Sequence, residues 1–215
     1  MFVGHLAVAL AAKRAAPSAP LSALVAGAFG LDLLWPVFLL AGLERVRIVP
    51  RYTAFTPLAF DYYPWSHSLS MAVVWAIVAG RVSATILKNA RAGLFIGLAV
   101  LSHWALDYVT HVPDLPLWPG GPRYGLGLWN SIAMTVVVEG ALFTTAIVAY
   151  LHATTARNAK GIWTFWGLMA VTTVIWGSGP LSPPPPSVTA IAIAGLAMWL
   201  FPAWAAWIER NRSIA

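Results

Sequence analysis

Long apolar runs dominate this sequence, and their length limits what the chain can fold into. A helix rises about 1.5 Å per residue, so roughly 20 apolar residues cross the hydrocarbon core of a bilayer. Runs of this order, bounded by charged or turn-forming residues, cover 21–42, 65–82, 93–112, 126–150 (or from 124), 162–178 and 188–208. The sequence therefore predicts an all-α, polytopic membrane helix bundle with about six transmembrane helices.

The composition supports this class of protein. Of the 215 residues, 60% are hydrophobic and 9% are charged, whereas a soluble domain carries about 25% charged residues. The formal net charge of +6 is spread over the connections without a basic run, which indicates membrane orientation and not nucleic-acid binding. The chain has no Cys, so disulfides, thiolate metal sites and Cys nucleophiles are excluded.

The first apolar segment, residues 2–12, is too short for a full span and predicts a half-membrane or interfacial helix. Lys13 and Arg14 follow it, whereas a signal peptide carries its positive charges in front, so we do not expect cleavage. We find no internal repeat, and residues 1–215 are predicted to form one integral-membrane domain.

The distribution of Lys and Arg predicts the orientation of the bundle. Counted by alternating connections, nine of them fall on one side and four on the other, the four being Arg45, Arg47, Arg51 and Arg123. The positive-inside rule places the nine-charge side and the carboxyl terminus in the cytoplasm. The connections 44–63 and 113–122 then lie outside.

Ionisable side chains interrupt several of the apolar runs. His103, Asp107 and His111 recur at intervals of four residues and form one stripe on a helix. Charged or titratable groups at bilayer depth are costly and usually mark a functional site. Counting about 1.5 Å per residue from the ends of the runs, we find that six such residues share one layer: His5, Asp32, His67, His103, Asp107 and Glu139. The same count puts His111 and Asp114 near the outer surface, where we expect them to be interfacial.

This set of side chains predicts a metal site. Imidazole and carboxylate without thiolate suit zinc, manganese or iron. A catalytic zinc needs three protein ligands and an open position, and the set offers more than three. The surplus leaves room for a second metal, a general base or carboxylates that orient the histidines.

Structural roles are the alternative for some of these residues. Asp32 lies between Gly30 and Pro36, which permit a kink, and it could cap a broken helix. Glu139 could instead bond to neighbouring helices. The spacing of Gly93 and Gly97 is typical of close helix packing in membranes.

Four ordered segments of the chain resemble a known family. They are MFVGHLA (1–7), LDLLWP (31–36), YPWSHSL (63–69) and HWALD (103–107), and they resemble the bacterial predicted membrane-bound metal-dependent hydrolases, which include the LexA-regulated inner-membrane hydrolase-like proteins. The resemblance covers about residues 1–150, the portion with the metal site. Residues 162–209 hold two additional transmembrane helices without a recognised motif.

The resemblance implies a multi-pass protein of the bacterial inner membrane that holds a divalent metal. Zinc is the first expectation, with manganese or iron as alternatives. It adds His5 to the candidate ligands, because His5 lies in the first segment. The full candidate ligand set is His5, Asp32, His67, His103 and Asp107.

We therefore expect a membrane-embedded, metal-dependent hydrolase that acts on a lipid-linked or membrane-embedded ester, with a phosphoester favoured. Glu139 and Asp107 are the candidate catalytic residues, because a carboxylate must handle protons. The four external arginines could attract an anionic headgroup, although plain solvation of the loops is the favoured interpretation. HExxH, GxSxG and P-loop motifs are absent, which excludes zincin proteases, serine hydrolases with a GxSxG motif and P-loop NTPases.

A proton- or ion-coupled transporter or relay is the alternative function. Such proteins use similar intramembrane carboxylates and histidines. They more often show two related halves with broken helices, which this sequence lacks.

Overall fold

Helices contain 69% of the residues in the computed structural model, which describes residues 1–215. The helices are α1 (Phe2–Ala15), α2 (Leu21–Ala28), α3 (Gly30–Leu40), α4 (Pro64–His67), α5 (Leu69–Leu87), α6 (Ala90–Thr110), α7 (Ile132–Ala153), α8 (Ala159–Ser178), α9 (Val188–Leu196) and α10 (Leu200–Arg210). Three two-stranded antiparallel sheets pair β1 (Arg45–Ile48) with β2 (Leu58–Tyr62), β3 (Leu115–Pro116) with β4 (Arg123–Tyr124), and β5 (Thr154–Ala156) with β6 (Arg212–Ile214). The predicted all-α class therefore describes the bundle but not its connections.

Four stretches of helix are long and apolar enough to cross a membrane: α5, α6, α7 and the continuous segment Val188–Arg210, which contains α9 and α10. The pair α2 and α3 makes a fifth if it is one span, and it bends by 55°. This bend falls at Phe29, next to the Gly30 that the sequence marked as a possible kink. The structure thus has four or five such helices, where the sequence predicted about six spans.

The amino-terminal helix α1 is enclosed by the rest of the bundle. It packs against α7, α2 and α6, and Val3, His5, Leu6 and Leu10 are completely or almost completely buried. Its 14 residues agree with the predicted short helix. This packing places His5 in the interior of the bundle.

Helix α5 contacts the bundle along a narrow seam with α6. Ala72 is its only buried residue, and its apolar side chains point outward, as lipid contact requires. At the seam, a Cβ atom added to Gly97 would lie 2.8 Å from the carbonyl oxygen of Ala76, and one added to Gly93 would lie 2.5 Å from Cβ of Ala84. The predicted role of the two glycines in helix packing is confirmed.

The helix predicted over 65–82 is interrupted at Ser68, which separates the single turn α4 from α5. Ser68 has an extended backbone, and its hydroxyl accepts a hydrogen bond from the Met71 amide at 3.3 Å. This is a normal helix start. His67 is therefore the last residue of one helical turn rather than part of the long helix, and it lies buried at the end of the bundle.

Candidate metal centre

All five residues predicted to hold a metal meet in the structure. His5 comes from α1, Asp32 from the first turn of α3, His67 from α4, and both His103 and Asp107 from α6. Two groups have ligand atoms within 4.8 Å of one another: His5 with His103 and Asp107, and Asp32 with His67 and His103. This buried His/Asp cluster could hold a metal ion.

The distances between the ligand atoms suit a single small cation. Asp107 Oδ1 lies 3.2 Å from His5 Nε2, and Asp107 Oδ2 lies 3.2 Å from His103 Nε2 and 3.8 Å from His67 Nε2. Asp32 Oδ1 lies 3.5 Å from His67 Nε2 and 3.7 Å from His103 Nε2. Tetrahedral bonds of about 2.0 Å separate ligand atoms by roughly 3.3 Å, so little movement would be needed to close around an ion.

A carbonyl freed by the helix bend fixes the ring of His103. Ala28 is the last residue of α2, and its carbonyl oxygen lies 2.8 Å from His103 Nδ1. A carbonyl can only accept, so Nδ1 carries the proton and donates it. Nε2 is left with a lone pair directed at the two carboxylates. This is the usual outer support of a metal-binding histidine.

A second chain of hydrogen bonds fixes His67 in the same way. The Ser66 hydroxyl donates to Glu44 Oε2 at 2.7 Å, and the Ser66 amide donates to Glu44 Oε1 at 2.8 Å. The Ser66 oxygen then accepts from His67 Nδ1, 2.7 Å away, which leaves the lone pair on Nε2. Burial raises the pKa of the Glu44 carboxyl, whereas its hydrogen bonds with Ser66 favour the ionised form. No local sequence pattern indicates this role of Glu44.

Several buried nitrogens of the cluster have no hydrogen-bond partner. They are Nε2 of His103 and both ring nitrogens of His5. The rings of His5 and His103 stack with centroids 3.6 Å apart and planes 6° apart. Unpaired buried polar atoms are unfavourable, and a cation bound by the His103 Nε2 lone pair would satisfy that atom. The donor set therefore fits a divalent metal.

His111 and Asp114, which the sequence predicts to be interfacial, are buried inside the protein. They are only 3% and 5% exposed, and His111 Nδ1 lies 2.9 Å from Asp114 Oδ1. Phe60 and Trp129 pack against the His111 ring at centroid distances of 5.0 and 4.5 Å. Height along a helix does not reveal that the connections fold back over its end, so the sequence alone does not show this burial.

Glu139 lies apart from these contacts. It is completely buried beside the Trp129 indole and the Val3 backbone, and neither carboxylate oxygen forms a hydrogen bond of normal geometry. It does not line the cavity next to the cluster. Its catalytic role stays a prediction.

A cavity of about 360 Å³ adjoins the cluster. Asp32, His67, Asp107 and His111 line one part of it, and six aromatic residues line the rest: Phe2, Trp35, Phe55, Phe60, Trp129 and Trp176. The cluster is reached from the cavity at Asp32, because the side chain of Asp32 is 25% exposed whereas those of His67 and Asp107 are almost fully buried. A larger groove between α5 and α6 is almost entirely apolar and lies away from the cluster.

Two of the arginines that the sequence predicts to be external, Arg47 and Arg123, form contacts that hold them away from this cavity. Arg47 makes two hydrogen bonds to the Asp61 carboxylate at 2.5 and 2.8 Å, which lower the pKa of Asp61, and Arg123 donates to the Asp61 carbonyl. Side chains alternate along β2, so Asp61 faces away from Phe60, which lines the cavity. The arrangement supports solvation of the loops as the role of these arginines.

Comparisons with protein-family models, with curated proteins and with solved structures give no match for this chain. The resemblance to membrane-bound hydrolases therefore rests on the four sequence segments. The structure adds that the polar residues of all four segments converge.

Proposed function

We propose that the protein is a membrane-embedded, metal-dependent hydrolase of a lipid-linked or membrane-embedded ester, with a phosphoester favoured. One observation carries the proposal: two histidines with fixed Nδ1 protons direct their free Nε2 atoms at two carboxylates beside an aromatic cavity. That combination of ligands, support and adjoining cavity is typical of a catalytic metal site.

The proposed topology has six crossings. They are the bent pair α2–α3, then α5, α6, α7, α8 and the α9–α10 segment, with α1 as a half-length helix inside the bundle. The carboxyl terminus is cytoplasmic in a bacterial inner membrane. The cavity is lined by Phe55 and Phe60 from the connection 44–63, so it opens toward the external side in this orientation.

Of the five predicted ligands, Asp32, His67, His103 and Asp107 would hold the metal, and His5 would lie beside Asp107. Zinc is the first candidate, with manganese and iron next. A divalent ion there would supply Lewis acidity, which activates water and stabilises negative charge on the ester oxygen. Asp32 leads from the cavity to the cluster, so an ester carbonyl or phosphoryl group would approach from that side. A carboxylate would transfer protons in the reaction. The proposed groups are Asp107, in the cluster, and Glu139, on the far side of α1.

The shape and lining of the cavity support an amphiphilic substrate. Its volume of about 360 Å³ lies at the small end of the roughly 300–1,000 Å³ of ligand sites. Its aromatic walls suit the apolar part of a lipid, and the Asp/His part suits a polar ester. We therefore propose the bilayer as the source of the substrate.

A proton relay is the second candidate, because a continuous series of ionisable groups runs from Asp32 through His103 and Asp107 to His111 and Asp114, with steps of at most 3.9 Å. The series does not continue through α1. The apolar core below His5 includes Leu6, Leu10 and Leu24, and it would block proton movement. The hydrolase is therefore the better supported function.

Metal analysis tests the proposal. Purified protein is expected to contain close to one equivalent of zinc, manganese or iron, and His103→Ala is expected to lose it, because the imidazole that faces both carboxylates is removed. Elemental analysis of the detergent-solubilised protein measures this. Metal-free protein with the same thermal stability in chelator and in zinc would contradict the hydrolase and favour the relay.

A further inference from the structure

We propose that His111 is a further ligand of the metal, held in place by Asp114 and Tyr63. This inference rests on the proposed function, since it concerns the same metal. Sequence reasoning had placed His111 outside the cluster, and no motif of the resemblance includes it.

His111 occupies the same relation to Asp107 as His67 does. Its Nε2 atom lies 3.9 Å from Asp107 Oδ2, compared with 3.8 Å for His67 Nε2 and 3.2 Å for His103 Nε2. Three imidazoles therefore surround one carboxylate oxygen, each through Nε2. An ion bound to Asp107 Oδ2 would therefore have three Nε2 atoms near it.

The hydrogen bonds of His111 leave its Nε2 atom free to bind. The Tyr63 hydroxyl donates to Asp114 Oδ1 at 3.0 Å, and the same oxygen accepts from His111 Nδ1 at 2.9 Å. Nδ1 thus carries the proton, as it does in His103 and His67. A carboxylate that accepts from Nδ1 is one of the usual outer supports of a zinc-binding imidazole. Tyr63, His111 and Asp114 are all buried, which preserves this arrangement.

Ring geometry favours His111 over His5 for this position. Imidazole nitrogens bind metals in the plane of the ring, and the parallel stacked rings of His5 and His103 cannot both contain one ion in their planes. The rings of His67 and His103 are inclined by 71° and can converge. His111 also lines the cavity with His67 and Asp32, whereas His5 does not. His5 Nε2 lies instead 3.2 Å from the other carboxylate oxygen of Asp107, Oδ1, so its influence on the metal would be indirect.

Cobalt substitution tests the assignment, because the visible bands of bound Co²⁺ report the number and type of its ligands. In full-length protein loaded with Co²⁺, His111→Ala is expected to shift these bands and to weaken Co²⁺ binding. His5→Ala, at an equally buried position, is expected to weaken binding without shifting the bands. Asp114→Asn is expected to keep the bands and to lower the affinity about 10–100-fold. His152→Ala is the matched control, since His152 is the one remaining histidine and is exposed.

Bands and affinity of His111→Ala that equal those of the unsubstituted protein would overturn the assignment, and so would a band shift found in His5→Ala but not in His111→Ala. If the alanine variant does not fold, His111→Gln serves instead, and a normal spectrum from it would count equally against the proposal. Unsubstituted protein that binds no Co²⁺, zinc or manganese would overturn both this assignment and the proposed function. Metal-loaded, hydrolytically active protein with a spectrum insensitive to His111 would overturn the assignment alone.

Discussion

Asp107→Asn is expected to abolish stoichiometric metal binding and hydrolysis. The Asp107 carboxylate faces four imidazoles, those of His5, His67, His103 and His111, at 3.2 to 3.9 Å. Asparagine keeps the volume of the side chain but removes its charge and one acceptor oxygen. The affinity should therefore fall by more than the roughly 10–100-fold that loss of an outer partner costs. Titration of the apo-protein with zinc or Co²⁺ measures the change.

The same substitution should separate metal binding from folding. A ligand that binds only the folded state stabilises it by about 2.7 kcal/mol when present at 100 times its Kd. Zinc should therefore raise the melting temperature of the unsubstituted protein and leave that of Asp107→Asn unchanged. Asp61→Asn is the matched control, because Asp61 pairs with Arg47 on the other face of β2 and should retain the zinc effect. Equal stabilisation of Asp107→Asn and unsubstituted protein by zinc would show that Asp107 is not a ligand.

Gly93→Val is expected to separate α5 from α6 and to have the largest effect on stability. A single Cβ atom at Gly93 would lie 2.5 Å from Cβ of Ala84, and it would collide with the Gly80 carbonyl as well. Backbone cannot yield as a flexible side chain does, so we expect the loss of stability to reach or exceed the roughly 1–3 kcal/mol of an overpacked core. Denaturation in detergent, followed by circular dichroism, measures it.

Two features make this substitution informative about the cluster as well. Helix α5 has one buried residue, so little else holds it to the bundle. His67 directly precedes α5, while His103 lies on α6, so a displaced helix should also weaken metal binding. Gly177→Val in α8 is the control, since no atom lies within 4 Å of the added Cβ. Similar losses of stability in both variants would show that the β-branched residue, and not the helix seam, is responsible.

The sequence was sufficient to predict the helices and the group of residues that meets among them. Apolar runs marked α5, α6 and α7, and counted heights brought Asp32, His67, His103 and Asp107 to one level before any contact was known. Height measures position along the helix axis only. A residue on the opposite face of its helix, pointing away from the others, would have the same height. Only the structure shows that these side chains point toward one another, because the packing of α1 and the bend at Phe29 orient them.

The hydrogen bonds that support the histidines could not be predicted from the sequence, because they come from the segments that connect the helices. The carbonyl of Ala28 is free because the helix breaks there, and Glu44 reaches His67 because a hairpin returns the chain to the end of the bundle. Both are tertiary effects with no local pattern. His111 looked interfacial because its distance from the helix start was the only measure, while Phe60 and Trp129 cover it in the fold.

The enclosure of α1 has a consequence for biosynthesis. Because α1 packs on α7, the ribosome must complete α7 before α1 has its main neighbour. Until then α1 has only α2 and α6 to pack against, and its face toward α7 awaits a partner. The proposed cation-binding centre would therefore be fully enclosed only after α7 has been made.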